Sequence, residues 1–235
     1  ALSVRCTSSS SINGATMSTL SAKLGTAMVC GALALALNLA PTAASANDCR
    51  IAFLGDSLTA GYGLPEDESW PAEMRAKLAA EGYDCTVINA GLSGDTTAGG
   101  LARIDWLLAD EPTHVVLALG ANDGLRAVPV AEMKANLEAV LAKLRDADVA
   151  TLLAGMRAPP NMGQDYAERF EAAFRDLADR FEVAFYPFLL KEVAARPELN
   201  QPDGIHPNAA GVEVMVDNIW PTFETWLRGS GVRPA

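Results

Sequence analysis

From Asn47 onward, short continuous apolar runs alternate with longer stretches in which apolar residues recur at helical spacing. Arg50 to Gly55, Cys85 to Ala90, Val115 to Leu119, Val149 to Ala154 and Val183 to Phe188 read as five strands. Their near-continuous apolar text is that of strands buried on both faces. Met133, Leu137, Val140, Leu141 and Leu144 fall on one face of a helix, with Glu132, Lys134, Glu138 and Lys143 opposite. Phe170, Phe174, Leu177 and Phe181 repeat that spacing, and Pro207 to Leu227, with Met215, Ile219, Phe223 and Trp226, predicts a closing helix kinked or interrupted at Pro221. Alternation of this kind predicts an α/β fold, a parallel sheet covered by helices on both faces, because right-handed crossovers leave few other solutions. Neither a repeat nor a low-complexity linker divides 47–235, which reads as one domain. In such sheets ligands bind beyond the carboxyl ends of the strands.

Composition narrows the chemistry. The chain has 235 residues, 50% of them hydrophobic, and a formal net charge of -11. That charge excludes a nucleic-acid binder held by phosphate contacts. With two histidines, His114 and His206, a three-histidine zinc site cannot be built, and no cysteine pair has finger-like spacing, so no metal is expected. Arg5 and Lys23 are the charged residues of the first 46, so the acidic excess falls on the remainder. From Met17 the text runs through Lys23, an uncharged apolar stretch from Leu24 to Leu39, Pro41 and the small triplet Ala44-Ser45-Ala46. This is the pattern of a secretory signal over 17–46, and the stretch, interrupted by Gly25, Gly31 and Asn38, is short for a membrane span. Residues 1–16, Ser-rich and aperiodic, are left unassigned. Cleavage before Asn47 predicts a periplasmic or secreted protein without a stable membrane span. It removes Cys6 and Cys30 and leaves Cys49 and Cys85, which in an oxidising compartment read as a disulfide, against two buried thiols.

Three strands end in glycine-rich polar text: Gly55-Asp56-Ser57-Leu58, then Ser93-Gly94-Asp95, then Gly120-Ala121-Asn122-Asp123. Near the C-terminus, Asp203-Gly204-Ile205-His206-Pro207 places a carboxylate three residues before a histidine. A serine hydroxyl is a weak nucleophile that requires an adjacent base, and a histidine serves when a carboxylate fixes its tautomer. Ser57, His206 and Asp203 supply those parts. The Ser57 and Gly94 N–H groups and the Asn122 amide would form an oxyanion hole. Each block alone reads equally as a helix cap or an ordinary turn; their joint occurrence in this order points to acyl transfer. His114 opens the third strand and belongs at the opposite edge of the sheet, as a structural residue.

These four blocks resemble those of the SGNH, or GDSL, hydrolases. Leu58-Thr59-Ala60-Gly61-Tyr62, Gly94-Asp95-Thr96-Thr97, Asn122-Asp123-Gly124-Leu125-Arg126 and His206-Pro207-Asn208 are most similar to the bacterial thioesterase I, lysophospholipase and arylesterase subgroup. The resemblance implies a flavodoxin-like α/β/α sandwich with strand order 2-1-3-4-5. It also implies a serine esterase using no metal or other cofactor, with Ser57, Gly94, Asn122, Asp203 and His206 in the roles above. The expected substrates are small or lipid-like carboxylic esters, with thioesters open to the same machinery; lysophospholipid and acetylated carbohydrate are alternatives, as is a non-catalytic lipid- or carbohydrate-binding module. The oligomeric state stays open. The resemblance places an acyl pocket between the loops after the third and fourth strands, at Gly124, Leu125, Arg126, Arg157, Ala158 and Pro159. Arg126 and Arg157 fit either a charged part of the substrate or surface ion pairs. With strands one and two adjacent, counting back from Ser57 and Gly94 puts Cys49 and Cys85 side by side at the far edge, within disulfide reach.

Overall fold

The structure, a computed structural model, describes residues 49–235. The upstream segment 1–16, the signal reading of 17–46, and Cys6 and Cys30 lie outside the described residues. Five parallel strands, β1 (Arg50–Gly55), β2 (Thr86–Gly91), β3 (His114–Ala118), β4 (Ala150–Ala154) and β5 (Ala184–Tyr186), form one sheet in the order 2-1-3-4-5. β1 and β3 are buried almost throughout, as their continuous apolar text requires. β2 departs from the expectation: none of its six residues is fully buried, because it is an edge strand with no neighbour on one side. β5 is shorter than the run from Val183 to Phe188, since Pro187 has no N–H to continue the ladder.

Helices α3 (Thr97–Leu108), α5 (Val130–Asp146) and α6 (Gln164–Phe181) pack together on one face of the sheet. α2 (Trp70–Ala80) and α7 (Ala209–Gly229) pack together on the other. Phe53 of β1 meets Trp70 edge-on at 5.0 Å and lies parallel to Phe223 at 6.3 Å, which keys α2 and α7 to the sheet. Such aromatic pairs add to the area they bury. The aromatic stripe of α6 does the same opposite, with Phe170 and Phe174 fully buried. α7 begins two residues later than expected, capped by the Asn208 side chain on the Gly211 N–H at 3.0 Å, and runs unbroken through Pro221. Pro221 lies on the exposed face of the helix, as does Asp217, whose carbonyl loses the N–H it would otherwise accept. Among the described residues no helix is long and apolar enough to cross a membrane.

Register decides where the chemistry falls. Gly55 is level with Gly91 and with Ala118, so β1, β2 and β3 end on one line and their glycine-rich continuations meet at one rim. At the other end Cys49 and Cys85 precede β1 and β2 and form a disulfide with Cα atoms 4.6 Å apart. His114 lies at that same end, buried between Thr113 Oγ1 at 2.8 Å and Ser230 Oγ at 2.7 Å, edge-on to Trp226.

Candidate active site

The rim is assembled by close backbone approach. A Cβ on Gly55 would lie 2.0 Å from Thr59 Oγ1, so only glycine lets the chain turn sharply from β1 into the short helix α1 (Ser57–Ala60). Asp56 caps that helix, its Oδ1 accepting the Leu58 N–H at 3.0 Å, and Ser57 becomes its first residue, half-buried. The Asp56 carboxyl is 1% exposed, and burial raises its pKa to about 6 although the Leu58 N–H and the nearby His206 favour its charge. Its Oδ2 stands 3.4 Å from Asn122 Nδ2, the long limit of a hydrogen bond.

Ser57 Oγ is 2.9 Å from His206 Nε2, and His206 Nδ1 is 2.7 Å from Asp203 Oδ2. The Nδ1–H therefore donates to the carboxylate, leaving Nε2 to accept the serine proton. Asp203 Oδ1 also accepts the backbone N–H groups of His206 at 3.0 Å and Ile205 at 2.9 Å. The His206 backbone and side-chain bonds, then that of Ile205, lower the pKa of Asp203 to about 2, so this partly exposed acid stays ionised across the neutral range. The turn bearing both residues is closed by a bridge between Asn200 and Pro207, and Gln201 Nε2 bonds the carbonyls of Tyr62 at 2.7 Å and Pro207 at 2.9 Å. Tyr62 in turn packs its ring 4.6 Å from the imidazole.

Gly94 adopts a left-handed backbone, φ +82°, in the turn after β2. Asn122 lies on α4 (Ala121–Leu125), and its Nδ2 donates to the Asp95 carbonyl at 2.9 Å. Arg103 secures the turn from below: Nε meets Asp95 Oδ2 at 2.7 Å, while its two terminal nitrogens donate to the carbonyls of Ala90 and Gly55 at 2.8 and 2.9 Å. Buried Asp123 joins the third block to the second by accepting the Thr97 N–H at 2.9 Å and its hydroxyl at 2.6 Å. A hydroxyl, an imidazole and a carboxylate in this order can make the oxygen nucleophilic as it attacks.

A cavity of about 580 Å³ opens at Ser57, Gly94, Asn122 and His206. Of the residues expected to flank an acyl pocket, Leu125, Arg157, Ala158 and Pro159 line it. Gly124 and Arg126 do not. Gly124 is buried behind the wall, where a Cβ would stand 3.2 Å from Pro159 and 3.4 Å from Phe170. Arg126 Nη2 instead donates to the Gly94 carbonyl at 2.9 Å. Arg157 is a surface group as well as a lining one, 3.8 Å from Glu171 and over the Phe188 ring at 4.7 Å. The sequence reading missed Met156, Phe188, Leu190 and Ile205 in the wall. The rule placing ligands beyond strand ends pointed equally to the text after β5, where Phe188 and Leu190 lie. Among the described residues no group of three or more His, Cys, Asp or Glu is arranged to hold a metal ion.

Comparison with known proteins agrees with this architecture. Residues 53–214 match the model of the GDSL-like lipase/acylhydrolase family. The esterase TesA of Pseudomonas aeruginosa is 40% identical over 201 residues, 85% of this chain and 98% of that protein. The thioesterase 1/protease 1/lysophospholipase L1 of Escherichia coli is 40% identical over 156 residues, 66% of this chain and 74% of that protein. The crystal structure of the psychrotrophic esterase EstA from Pseudoalteromonas sp., inhibited by monoethylphosphonate, superposes with a TM-score of 0.74 at 38% identity, covering 77% of this chain and 100% of that one. With the match spanning most of the described residues and all three strand-end blocks, the chain belongs to the GDSL-like lipase/acylhydrolase family.

Proposed function

We propose that this serine ester hydrolase cleaves carboxylic esters, and thioesters by the same route, through an acyl-enzyme formed on Ser57 in the periplasm or outside the cell. The observation that carries the reading is the continuous chain from Ser57 Oγ to His206 to Asp203, at 2.9 and 2.7 Å, opening onto an acyl-sized cavity. His206 Nε2 takes the serine proton as Oγ bonds to the substrate carbonyl carbon. Asp203 stabilises the imidazolium. The oxyanion that develops meets the Ser57 and Gly94 N–H groups and the Asn122 amide. His206 then returns the proton to the departing alcohol or thiol, and water, deprotonated by the same nitrogen, releases the acid. The wall built from Leu125, Met156, Phe188, Leu190 and Ile205 favours an acyl chain over a carbohydrate in the cavity.

A panel of p-nitrophenyl esters of increasing chain length, run beside acyl-CoA, lysophospholipid and acetylated xylan, tests the reading. Turnover is expected on the esters, with label from a serine-directed phosphonate on Ser57. Exclusive turnover of acetylated xylan would replace the acyl-chain assignment, and no phosphonate label on the active protein would remove Ser57 from its role.

A further inference from the structure

α4 and its C-terminal cap, Arg126, hold two consecutive carbonyls of the turn that follows β2. Asn122 Nδ2 bonds the Asp95 carbonyl and Arg126 Nη2 the Gly94 carbonyl, both at 2.9 Å. Asn122 and Arg126 are one helical turn apart and are themselves joined, the Arg126 N–H donating to the Asn122 carbonyl at 3.0 Å. Across the same peptide, the Asp95 N–H bonds the Leu92 carbonyl at 3.0 Å. The peptide plane between Gly94 and Asp95 is thus fixed on both sides, and Arg126 supplies one of the two ties. Gly94 has no side chain with which to anchor itself, and its positive φ is a conformation with wide freedom about it. A guanidinium bound to a carbonyl is a charge-assisted tie, stronger than a neutral one.

We propose that Arg126 is a positioning residue for the oxyanion hole: it anchors the peptide that follows Gly94, the Leu92 N–H bonded to the Gly55 carbonyl at 3.0 Å anchors the chain before it, and the Gly94 N–H between these two ties is thereby confined relative to the Asn122 amide, which α4 carries. The proposal rests on the serine hydrolase reading given above. The two donors outside α1 are then one unit, locked by a short helix and the residue that caps it. A donor aimed in advance acts on the transition state, where the oxygen has become an anion, and little on the bound ester. Arg126 itself stands outside the cavity lining, so its removal takes no contact from an acyl chain.

The test compares wild type with Arg126→Ala and Arg126→Lys on an uncharged p-nitrophenyl ester. For Arg126→Ala, kcat should fall about 10-fold, less than the roughly 10²- to 10³-fold loss typical of deleting an oxyanion donor, with KM within about twofold of wild type. Arg126→Lys should recover part of the loss, and millimolar guanidinium should raise kcat of the alanine variant severalfold while leaving wild type unchanged. Phosphonate labelling of Ser57 should slow by the factor lost in kcat yet reach the same final stoichiometry. A raised KM with kcat intact would make Arg126 a substrate contact, and unchanged kinetics would make it surface decoration; either overturns the proposal. Failure of wild type to label at all would instead overturn the serine hydrolase reading.

Discussion

The two ends of the sheet hold one histidine each, and they are built in opposite ways. At the carboxyl ends of the strands, His206 is partly open, faces a cavity, and is tied to Ser57 and Asp203 by its two ring nitrogens. At the amino ends, His114 is 5% exposed, wedged between two hydroxyls and Trp226, and burial lowers its pKa to about 4. The Cys49–Cys85 bridge shares that second end. One end keeps polar groups where they can exchange protons with a ligand; the other consumes them in mutual hydrogen bonds. The same residue type is placed at a hydroxyl and an open cavity at one end and in packing at the other, and strand direction decides which.

The largest effects should come from the carboxyl end. Ser57→Ala and His206→Ala are each expected to lower kcat on the order of 10⁴-fold or more while shifting Tm by under about 2 °C. His114→Ala should show the reverse: turnover near wild type at moderate temperature, with a loss of roughly 1–3 kcal/mol from the vacated site. Steady-state kinetics beside calorimetry on the three variants would break the contrast if His114→Ala abolished turnover in a folded protein.

Reduction of the disulfide should act as His114→Ala does, on stability alone. The bridge spans a sequence separation of 36. Chain entropy then assigns it about 3–4 kcal/mol, or roughly 10 °C in Tm for a domain of this size. Melting curves with and without reductant measure it. A drop in ester turnover at 25 °C matching the drop in Tm would mean that the far end reaches the rim after all.

The smallest and sharpest test uses pH, because burial shifts the pKa of a group at each end and the signs oppose. Asp56 has its pKa raised from 3.8 to about 6 by burial. The folded state therefore holds that proton more tightly than the unfolded chain, and this contribution to stability falls as pH rises from about 4 to 6. His114 is lowered from 6.5 to about 4, so the folded state binds fewer protons there and its contribution rises across nearly the same window. Relative to wild type, the Tm of Asp56→Asn should climb by about 2–5 °C from pH 4 to 6.5, and that of His114→Ala should decline. Two difference curves with the same slope would show that one of these groups is not the buried titrating residue described here.

The sequence revealed more of the core than of the rim's wiring. The strands were legible because a sheet covered on both faces needs unbroken apolar runs, and β1 and β3 provide them. β2 has similar text, yet its neighbours on one side are absent, and strand order at an edge is not written in the strand itself. α5 and α6 announce themselves through periodic apolar faces. α3 does not, because Gly99 and Gly100 sit inside it where helix formers are expected; a Cβ there would run into Asp95 and Leu119. Ser57, Asp203 and His206 were legible as parts for one reaction, and the structure brings their atoms together. The roles of Arg103, Gln201 and Arg126 were not, because each acts on backbone carbonyls of distant segments, and any residue has a carbonyl. Cavity residues after β5 were missed for a related reason: Phe188 and Leu190 look like core, and only the fold turns them toward an opening.

The disulfide has a consequence for a chain that has been cut. Between α1 and α2 the segment from Tyr62 to Asp67 is largely exposed, the kind of loop that proteases nick first. A break there would put Ser57 and His206 on different pieces. Cys49 and Cys85 stand on opposite sides of such a break, so the two pieces would remain one covalent molecule. β1 and β2 would still be laced by their ladder. A clipped preparation should therefore migrate as a single band without reductant, part into two with it, and keep hydrolysing ester until the thiols are freed.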